Sequence, residues 1–187
     1  QMLLVFVGFL GAAYALQTLG GLRGEETAGR LEVMLAPGRS RSAWLAAHIA
    51  VVLTGTVVVV LAGSAAFAVS SAAVLGDPAL VGRILGAGAW QAVSAVSVAA
   101  LSIGLFGMIP RLQALAWVVF AVAVVVTFMG PSLRLTADQM RLSPFGAVGT
   151  APTGPVDVTG VVVLLAVSTA LVTVGLLGFR RRDVPKT

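Results

Sequence analysis

Residues 42–76, SAWLAAHIAVVLTGTVVVVLAGSAAFAVSSAAVLG, form an uninterrupted stretch without a charged side chain. About 20 apolar residues suffice for an α-helix to cross the hydrocarbon core of a bilayer. Four other uncharged stretches are long enough to do the same: residues 1–22, 84–110, 112–133 and 158–179. The apolar residues are continuous rather than alternating, which favours helices over the strands of a β-barrel. The predicted fold class is therefore all-α, a polytopic helical membrane protein with five visible spans.

The composition of the whole chain agrees with this fold class. It is 58% hydrophobic and only 10% charged, whereas soluble domains contain about 25% charged residues. Since the second stretch is too long for one perpendicular helix, we expect it to tilt and to extend beyond the membrane. The spans are predicted at about 2–22, 44–70, 84–109, 112–131 and 159–179, with a long external loop at 132–158.

Arginine and lysine are distributed unequally between the two sides that these spans define. One side holds nine of them: Arg23, Arg30, Arg39, Arg41, Arg111, Arg180, Arg181, Arg182 and Lys186. The other side holds Arg83, Arg134 and Arg141. Because cytoplasmic loops are enriched in basic residues, the C-terminus is predicted to be cytoplasmic and residue 1 external. The net charge of +5 is then explained by topology and anionic lipid, without a nucleic-acid partner. Since residue 1 already lies in an apolar stretch, we expect a further span before it.

The charged connection between the first two spans reads LRGEETAGRLEVMLAPGRSR, residues 22–41. Gly20, Gly21 and Gly24 are expected to loosen the end of the first span, and Pro37 prevents helix beyond Ala36, which leaves a short amphipathic helix at about 25–35. An interfacial anchor in the lipid headgroups is one interpretation. Three glutamates within eight residues would be repelled by an anionic leaflet, so contact with a protein partner is the better interpretation.

This connection resembles the cytoplasmic coupling segment of permeases of ABC-2 type ABC transporters. The matching residues are Arg23, Glu25, Glu26, Gly29, Arg30, Leu31, Glu32, Leu35 and Ala36, followed by Ser40, Arg41 and the span that contains Trp44. Among these permeases the chain is most similar to the actinobacterial exporters of polyketide antibiotics. Their last span and tail resemble Gly178-Phe179-Arg180-Arg181-Arg182-Asp183. The proline of the segment, Pro37, lies one position earlier than in the family pattern, which affects the expected exit angle of the helix.

The resemblance implies an architecture, partners and a direction of transport. The family has six helices per half, so the five spans here would be the second to the sixth. A dimer of cytoplasmic ATP-binding subunits would dock on the coupling segment, and a second permease half, on the same or a separate chain, would complete the transporter. The implied activity is export of a hydrophobic or amphiphilic small molecule, such as an antibiotic, across the bacterial cell membrane. The residues implied to couple to the ATPase are Arg23, Glu25, Glu26, Gly29, Arg30, Glu32 and Leu35.

The residues themselves predict neither a catalytic site nor a metal site. A nucleotide-binding P-loop needs a lysine after its glycines, and the single lysine is Lys186 near the end of the chain. The single histidine, His48, has no acidic neighbour within its span and is interpreted as an interfacial or packing residue. No predicted span contains the buried charge that proton-coupled transporters keep at membrane depth. ATP and Mg²⁺ are therefore expected in the partner subunit, and no cofactor in this chain.

A few polar and small residues interrupt the apolar spans. Gln17, Gln91, Ser94 and Ser97 would either line a substrate path or form hydrogen bonds between helices, and we favour the second. Small residues at helical spacing would allow close helix approach. These pairs are Gly8 with Ala12, Gly82 with Gly86, and Gly104 with Gly107.

In the external loop, Thr136-Ala137-Asp138-Gln139 has the form of a capping box, which predicts a short helix through Leu142. ABC-2 permeases carry short re-entrant helices before the last span, and the loop resembles them. It would close the outer end of the path. An interfacial loop folded around its own prolines is the alternative.

Two other functions remain open at this point. An ATP-independent secondary transporter or channel fragment would move its substrate without any ATPase. A non-transporting assembly subunit would bind partners and move nothing. Neither alternative accounts for the glutamate-rich amphipathic helix as well as the permease does.

Overall fold

The computed structural model describes residues 1–27 and 41–181, and these residues are all helix and connections apart from one isolated β-bridge. Five helices are long and apolar enough to cross a membrane, which confirms the predicted fold class. Four of them are α1 (Met2–Thr27), α2 (Arg41–Leu75), α3 (Ala79–Met108) and α7 (Val158–Arg181). The fourth span in chain order is Pro110–Met129, which ends in helix α4 (Leu115–Met129). Two helices of four residues, α5 (Ala137–Met140) and α6 (Pro144–Ala147), lie between α4 and α7. A 3-10 helix, Pro110–Leu112, links α3 to α4.

Helix α3 is the centre of the bundle. In its most apolar 18-residue window 72% of the residues are buried, against 17% for α4 and for α7. It packs against α1, α2 and α7, and it also contacts α6. The remaining faces of α2, α4 and α7 expose Val, Leu and Trp side chains. This is the distribution expected when lipid or another membrane segment surrounds the bundle, because contact between apolar side chains and lipid tails carries no free-energy penalty.

The helices alternate in direction, so the bundle has two distinct ends. We call "charged end" the one where α1, α3 and α7 finish and α2 and α4 begin. We call "loop end" the opposite one, which carries residues 130–157. Trp44, Phe106 and Phe179 meet at the charged end, with ring centroids 5.8 Å apart for Phe106–Phe179 and 6.5 Å for Trp44–Phe179.

Helix α1 differs from the prediction that glycines loosen its end. It continues as α-helix through Gly20, Gly21 and Gly24 to Thr27. None of these glycines has positive φ, and only that conformation would require glycine and end the helix there. A glycine inside a helix costs only about 1 kcal/mol relative to alanine. Three of them therefore weaken the helix without breaking it.

The loop end is closed by the short helices α5 and α6. The capping box predicted at Thr136 is confirmed: its hydroxyl accepts from the Gln139 N–H at 3.3 Å, and the Gln139 side chain accepts from the Thr136 N–H at 2.9 Å. Helix α6 inserts Phe145, which is 2% exposed, into the bundle core. There its ring lies 4.5 Å from the ring of Phe9 on α1.

Glycines bring α3 and α7 into backbone contact. A Cβ on Gly107 would overlap the Gly175 carbonyl, and a Cβ on Gly178 would lie 2.9 Å from the Gly107 oxygen. The prediction of close packing at Gly104 and Gly107 is therefore confirmed. At Gly82 and Gly86 it is wrong for the described part of this chain, because a Cβ there would meet nothing within 4 Å. Both of these glycines lie near the exposed start of α3.

Candidate functional site

The residues expected to couple to an ATPase lie at and beyond the end of α1. Arg23, Glu25 and Glu26 belong to the backbone of its last two turns. Gly29, Arg30, Glu32 and Leu35 lie outside the described residues, as does most of the helix predicted at 25–35. The structure thus places the first acidic residues of the segment on the same continuous helix that packs in the bundle from Leu4 to Leu22.

The polar residues predicted on α3 are buried together in the bundle. Gln91, Ser94 and Ser97 are 3%, 0% and 8% exposed. The Ser94 hydroxyl donates to the Pro144 carbonyl at 2.8 Å, which fixes α6 to α3. The Ser97 hydroxyl donates to the Val93 carbonyl at 2.9 Å and accepts from the Ser168 hydroxyl at 3.1 Å. Both serines therefore act in hydrogen bonds that hold elements together.

Gln91 is different, because its buried side-chain oxygen has no hydrogen-bond partner among residues 1–27 and 41–181. A Cβ on Gly8 of α1 would lie only 3.0 Å from this oxygen. Gly8 therefore makes the space that the Gln91 amide occupies. An unpaired buried amide oxygen is costly, typically about 1–3 kcal/mol.

Gln17 does not join this polar group. It is exposed on α1, on the side that also carries Leu3, Phe6 and Leu10. Phe6 on this face contacts the ring of Phe128 on α4, with centroids 4.7 Å apart, but no described residue buries Gln17. The four residues predicted as a polar set thus divide into three inside the bundle and one on its surface.

Several polar residues that sequence reasoning missed are equally buried. They are Ser64 and Thr56 on α2, Ser102 on α3, Gln113 between α3 and α4, Ser143 before α6 and Ser168 on α7. The Ser143 hydroxyl lies 3.2 Å from the Thr127 hydroxyl and ties α6 to α4. A polar residue inside an apolar stretch is visible in the sequence and marks a possible buried group. Whether its side chain faces the bundle or the lipid could not be predicted, because these spans have no polar face that would orient the helix.

A cavity of about 640 Å³ lies at the loop end, between the start of α1, the end of α4, α5, α6 and the start of α7. Its walls include Val5, Met140 and Phe145, with Thr127 and Thr150 as polar members. A second cavity of about 620 Å³ lies on the other side of α6, against Val163 and Leu164 of α7. Both volumes are within the range of small-molecule sites, about 300–1,000 Å³.

One ion pair lines both loop-end cavities. The Arg141 guanidinium lies 3.4 Å from a carboxylate oxygen of Asp157, whose side chain is 23% exposed. The other oxygen of Asp157 accepts the Gly160 N–H at 3.0 Å, so this carboxylate also caps α7. Arg141 lies 3.8 Å from Asp138 as well, and both side chains are well exposed. The pair therefore connects α5 to the first turn of α7 at the mouth of the bundle.

His48 has a packing role in the structure. Its Nδ1 lies 2.9 Å from the Trp44 carbonyl, and its ring centroid lies 4.2 Å from that of Trp44. Among the described residues, no three His, Cys, Asp or Glu side chains are grouped so that they could hold a metal ion.

Comparison with known proteins identifies the family. Residues 1–180 match the family model described as "Multidrug efflux system permease Rv1217c, C-terminal domain". The chain is also 32% identical, over 179 residues, to the multidrug efflux system permease protein Rv1217c of Mycobacterium tuberculosis. The alignment covers 95% of this chain and 33% of that protein, so the chain spans about a third of the relative's length. The resemblance to ABC-2 type permeases is thereby confirmed. The chain belongs to the family of the C-terminal domain of Rv1217c-type multidrug efflux permeases.

Proposed function

We propose that this chain is part of the membrane permease of an ATP-driven exporter that moves hydrophobic or amphiphilic small molecules out of a bacterial cell. The observation that carries the proposal is the match of residues 1–180 to the C-terminal domain of a multidrug efflux permease. The five spans of the structure support it, since a permease needs a membrane-spanning bundle. A permease is a transport component, and ATP with Mg²⁺ would bind in a separate subunit.

The charge distribution supports an orientation with the charged end in the cytoplasm. Arg111, Arg180 and Arg181 lie there, as do Arg23 near the end of α1 and Arg41 at the start of α2. The loop end carries Arg83, Arg134 and Arg141, together with three aspartates, Asp77, Asp138 and Asp157. Cytoplasmic enrichment in Arg and Lys then places the C-terminus inside and the loop-end cavities outside.

The continuity of α1 supports a mechanical route from a cytoplasmic ATPase to the bundle. In the proposal a dimer of ATP-binding subunits contacts the segment around Glu25 and Glu26, and its closure displaces the end of α1. An α-helix is stiff along its axis because every turn is hydrogen-bonded to the next. A displacement near Thr27 would therefore reach Gly8 and Gly11, where α1 contacts α3 and α2.

The loop end supports an exit for molecules of mixed polarity. Helix α6 closes the bundle with Phe145, and the cavities beside it combine apolar walls with Arg141, Asp157 and threonines. The exposed faces of α2, α4 and α7 leave room for lipid and for a second permease half, on the same or another chain. Movement of α6 relative to α7 would open the outer mouth.

Transport by the reconstituted full-length protein tests the proposal. The protein would be placed in proteoliposomes with the ATPase encoded beside it, and movement of a lipophilic fluorescent dye would be followed with ATP, without ATP and with a non-hydrolysable analogue. Dye movement that requires ATP hydrolysis is expected. Equal movement without ATP would indicate the secondary transporter or channel instead. Binding of the ATPase with no dye movement would indicate the assembly subunit.

A further inference from the structure

A small groove at the charged end holds two buried polar groups that the bundle leaves without partners. It lies between α1, α3 and the start of α4, and has a volume of about 200 Å³. Its walls are Leu16 and Gly20 of α1, Ser102 of α3, and Gln113, Ala114 and Trp117. None of these residues is charged.

Gln113 is 5% exposed and is held in a fixed orientation. Its side-chain nitrogen donates to the Leu19 carbonyl at 3.0 Å, which fastens the α3–α4 connection to α1. The same bond identifies the other side-chain atom as the oxygen, and that oxygen has no hydrogen-bond partner in the described part of the chain. It is a fixed acceptor in an apolar setting, where an unpaired polar atom is costly.

Ser102 supplies the second polar group. It is 1% exposed and lines the groove. No hydrogen bond of its hydroxyl is found among residues 1–27 and 41–181. This differs from Ser94, Ser97 and Ser168, whose hydroxyls all bond within the protein. A hydroxyl can donate and accept, so Ser102 can pair with either kind of group on a ligand.

Gly20 lines the groove and lies beside open space. A Cβ built on Gly20 would meet nothing within 4 Å. Trp117 stands at the side of the groove with 41% of its surface exposed, where an indole can contact an apolar body. The space is close to the roughly 150 Å³ apolar cavity that accepts one benzene ring. It therefore fits one ring or head group of a larger molecule.

We propose that this groove binds the head of an uncharged amphiphile that carries a hydrogen-bond donor, such as a hydroxyl on a ring. The donor pairs with the Gln113 oxygen, the Ser102 hydroxyl bonds the same head, and the apolar remainder lies against Leu16 and Trp117. A charged head is disfavoured because no described residue that lines the groove carries a charge to compensate its desolvation. That this ligand is the exported molecule rests on the proposed function; that the groove binds it does not.

Binding of 4-heptylphenol to the full-length protein in phosphatidylcholine nanodiscs, without ATP or ATPase, tests the site. The matched probe is 4-heptylanisole, in which a methyl group replaces the donated hydrogen. We expect the phenol to bind about tenfold tighter or more, since the ether leaves a buried acceptor unpaired. Equal affinities would overturn the proposal. They are expected if the groove holds only water or binds the probes only through their apolar parts.

Two variants locate the binding. Gly20→Leu adds a bulky side chain at the wall of the groove, and Gly21→Leu is its control, because a Cβ on Gly21 also meets nothing within 4 Å but Gly21 is not among the residues that line the groove. We expect Gly20→Leu to abolish phenol binding and Gly21→Leu to preserve it. Ser102→Ala should reduce phenol affinity severalfold with an unchanged melting temperature, because its hydroxyl has no hydrogen bond to lose within the described part of the chain. Equal binding by all three variants would contradict the assignment.

Donor lipids are a second source of the same chemistry. If dioleoylglycerol, an uncharged lipid with a hydroxyl head, displaces the phenol from wild type when added to the nanodiscs, the site stands and its occupant is a lipid head group, which overturns the identification of the ligand as cargo. If dioleoylglycerol has no effect, the small molecule is supported. Failure of ATP-driven transport would leave these binding results unchanged, so the two proposals fail separately.

Discussion

Glycines at the α3–α7 crossing allow a backbone contact that any larger residue would prevent. The Gly107 backbone lies against the Gly175 carbonyl, and Gly104 lies against Leu171, so the two helices touch through main-chain atoms. Beside this contact, Ser168 donates to Ser97 at 3.1 Å. Since apolar burial does not drive helix association in lipid, close contact and interhelical hydrogen bonds must supply the attachment of α7.

Substitution of these glycines has an expected cost. Gly107→Ala should lower the free energy of unfolding by about 1–3 kcal/mol, because the new methyl group would overlap the Gly175 carbonyl. Gly82→Ala in the same helix is the control, and should be neutral or stabilising by up to about 1 kcal/mol through helix propensity. Unfolding by SDS titration would measure both. Similar effects of the two variants would contradict the close crossing.

The Arg141–Asp157 pair should be asymmetric in its effect on stability. Asp157→Ala should cost about 1 kcal/mol, since it removes the cap that accepts the Gly160 N–H. Arg141→Ala should cost well under 1 kcal/mol, because a largely exposed arginine gains little from an ion pair. Thermal unfolding in detergent compares them. A larger loss for Arg141→Ala would show that the ion pair, rather than the cap, holds this end of α7.

At the scale of elements, α6 works as a wedge between α3, α4 and α7. Ser94 on α3 donates to its Pro144 carbonyl, and Thr127 on α4 contacts Ser143 just before it. A Cβ on Gly160 of α7 would overlap the Ala147 carbonyl, so α7 also lies directly against the wedge. Three helices thus position one four-residue helix that could not be stable alone.

Removal of the aromatic anchor should release this wedge. In a cysteine-free full-length protein, Ala147→Cys would give one thiol at a site that is 8% exposed, and the chain itself contributes no cysteine. We expect slow modification of this thiol, and modification at least tenfold faster after Phe145→Ala. Leu142→Ala, which changes a side chain that is 84% exposed, is the control and should have no effect. Equal rates in all backgrounds would mean that Phe145 does not hold α6.

The sequence predicted five spans because a long uncharged apolar stretch in a bilayer is stable only as a membrane-spanning helix. It also predicted the capping box at Thr136, where the signal is local. It could not predict that α1 continues past Gly20, since composition gives the cost of a glycine but not the neighbours that offset it. Nor could it separate exposed Gln17 from buried Gln91, because a helix that is apolar all round has no pattern to orient it. The partners of Gln113 and Ser168 depend on which helices meet, which is set by the whole bundle.

At the scale of the whole molecule, the two ends differ in chemistry. The charged end carries five of the eight basic residues that the structure describes and the start of the acidic segment, whereas the loop end carries the wedge and the two larger cavities. The bundle buries the few polar side chains of α3 (Gln91, Ser94, Ser97 and Ser102) and turns apolar faces of α2, α4 and α7 outward. This arrangement is consistent with the proposed function, in which an ATPase acts on the charged end and the outer mouth opens at the loop end.

The orientation of the bundle gives a direct prediction. In the cysteine-free protein, Asp138→Cys should react with a membrane-impermeant thiol reagent in intact cells, because the loop end is proposed to face outward. Arg111→Cys should react only after the cells are opened. Both side chains lie on exposed residues, so the comparison depends on sidedness. The reverse pattern would place the loop end in the cytoplasm and contradict the proposed direction of export.

The central claim is that an ATPase binds the acidic segment at the end of α1 and displaces it when ATP is hydrolysed. The most direct measurement is co-purification of the full-length protein with the ATPase encoded beside it, together with its ATP turnover, for wild type and for Glu25→Arg/Glu26→Arg. The control is Asp77→Arg/Asp138→Arg, which makes the same two reversals at the loop end. We expect wild type and control to bind the ATPase and support turnover, and the Glu25/Glu26 variant to lose both while still inserting in the membrane. Binding and turnover by that variant at the level of wild type, or no binding by any of the three, would contradict the account.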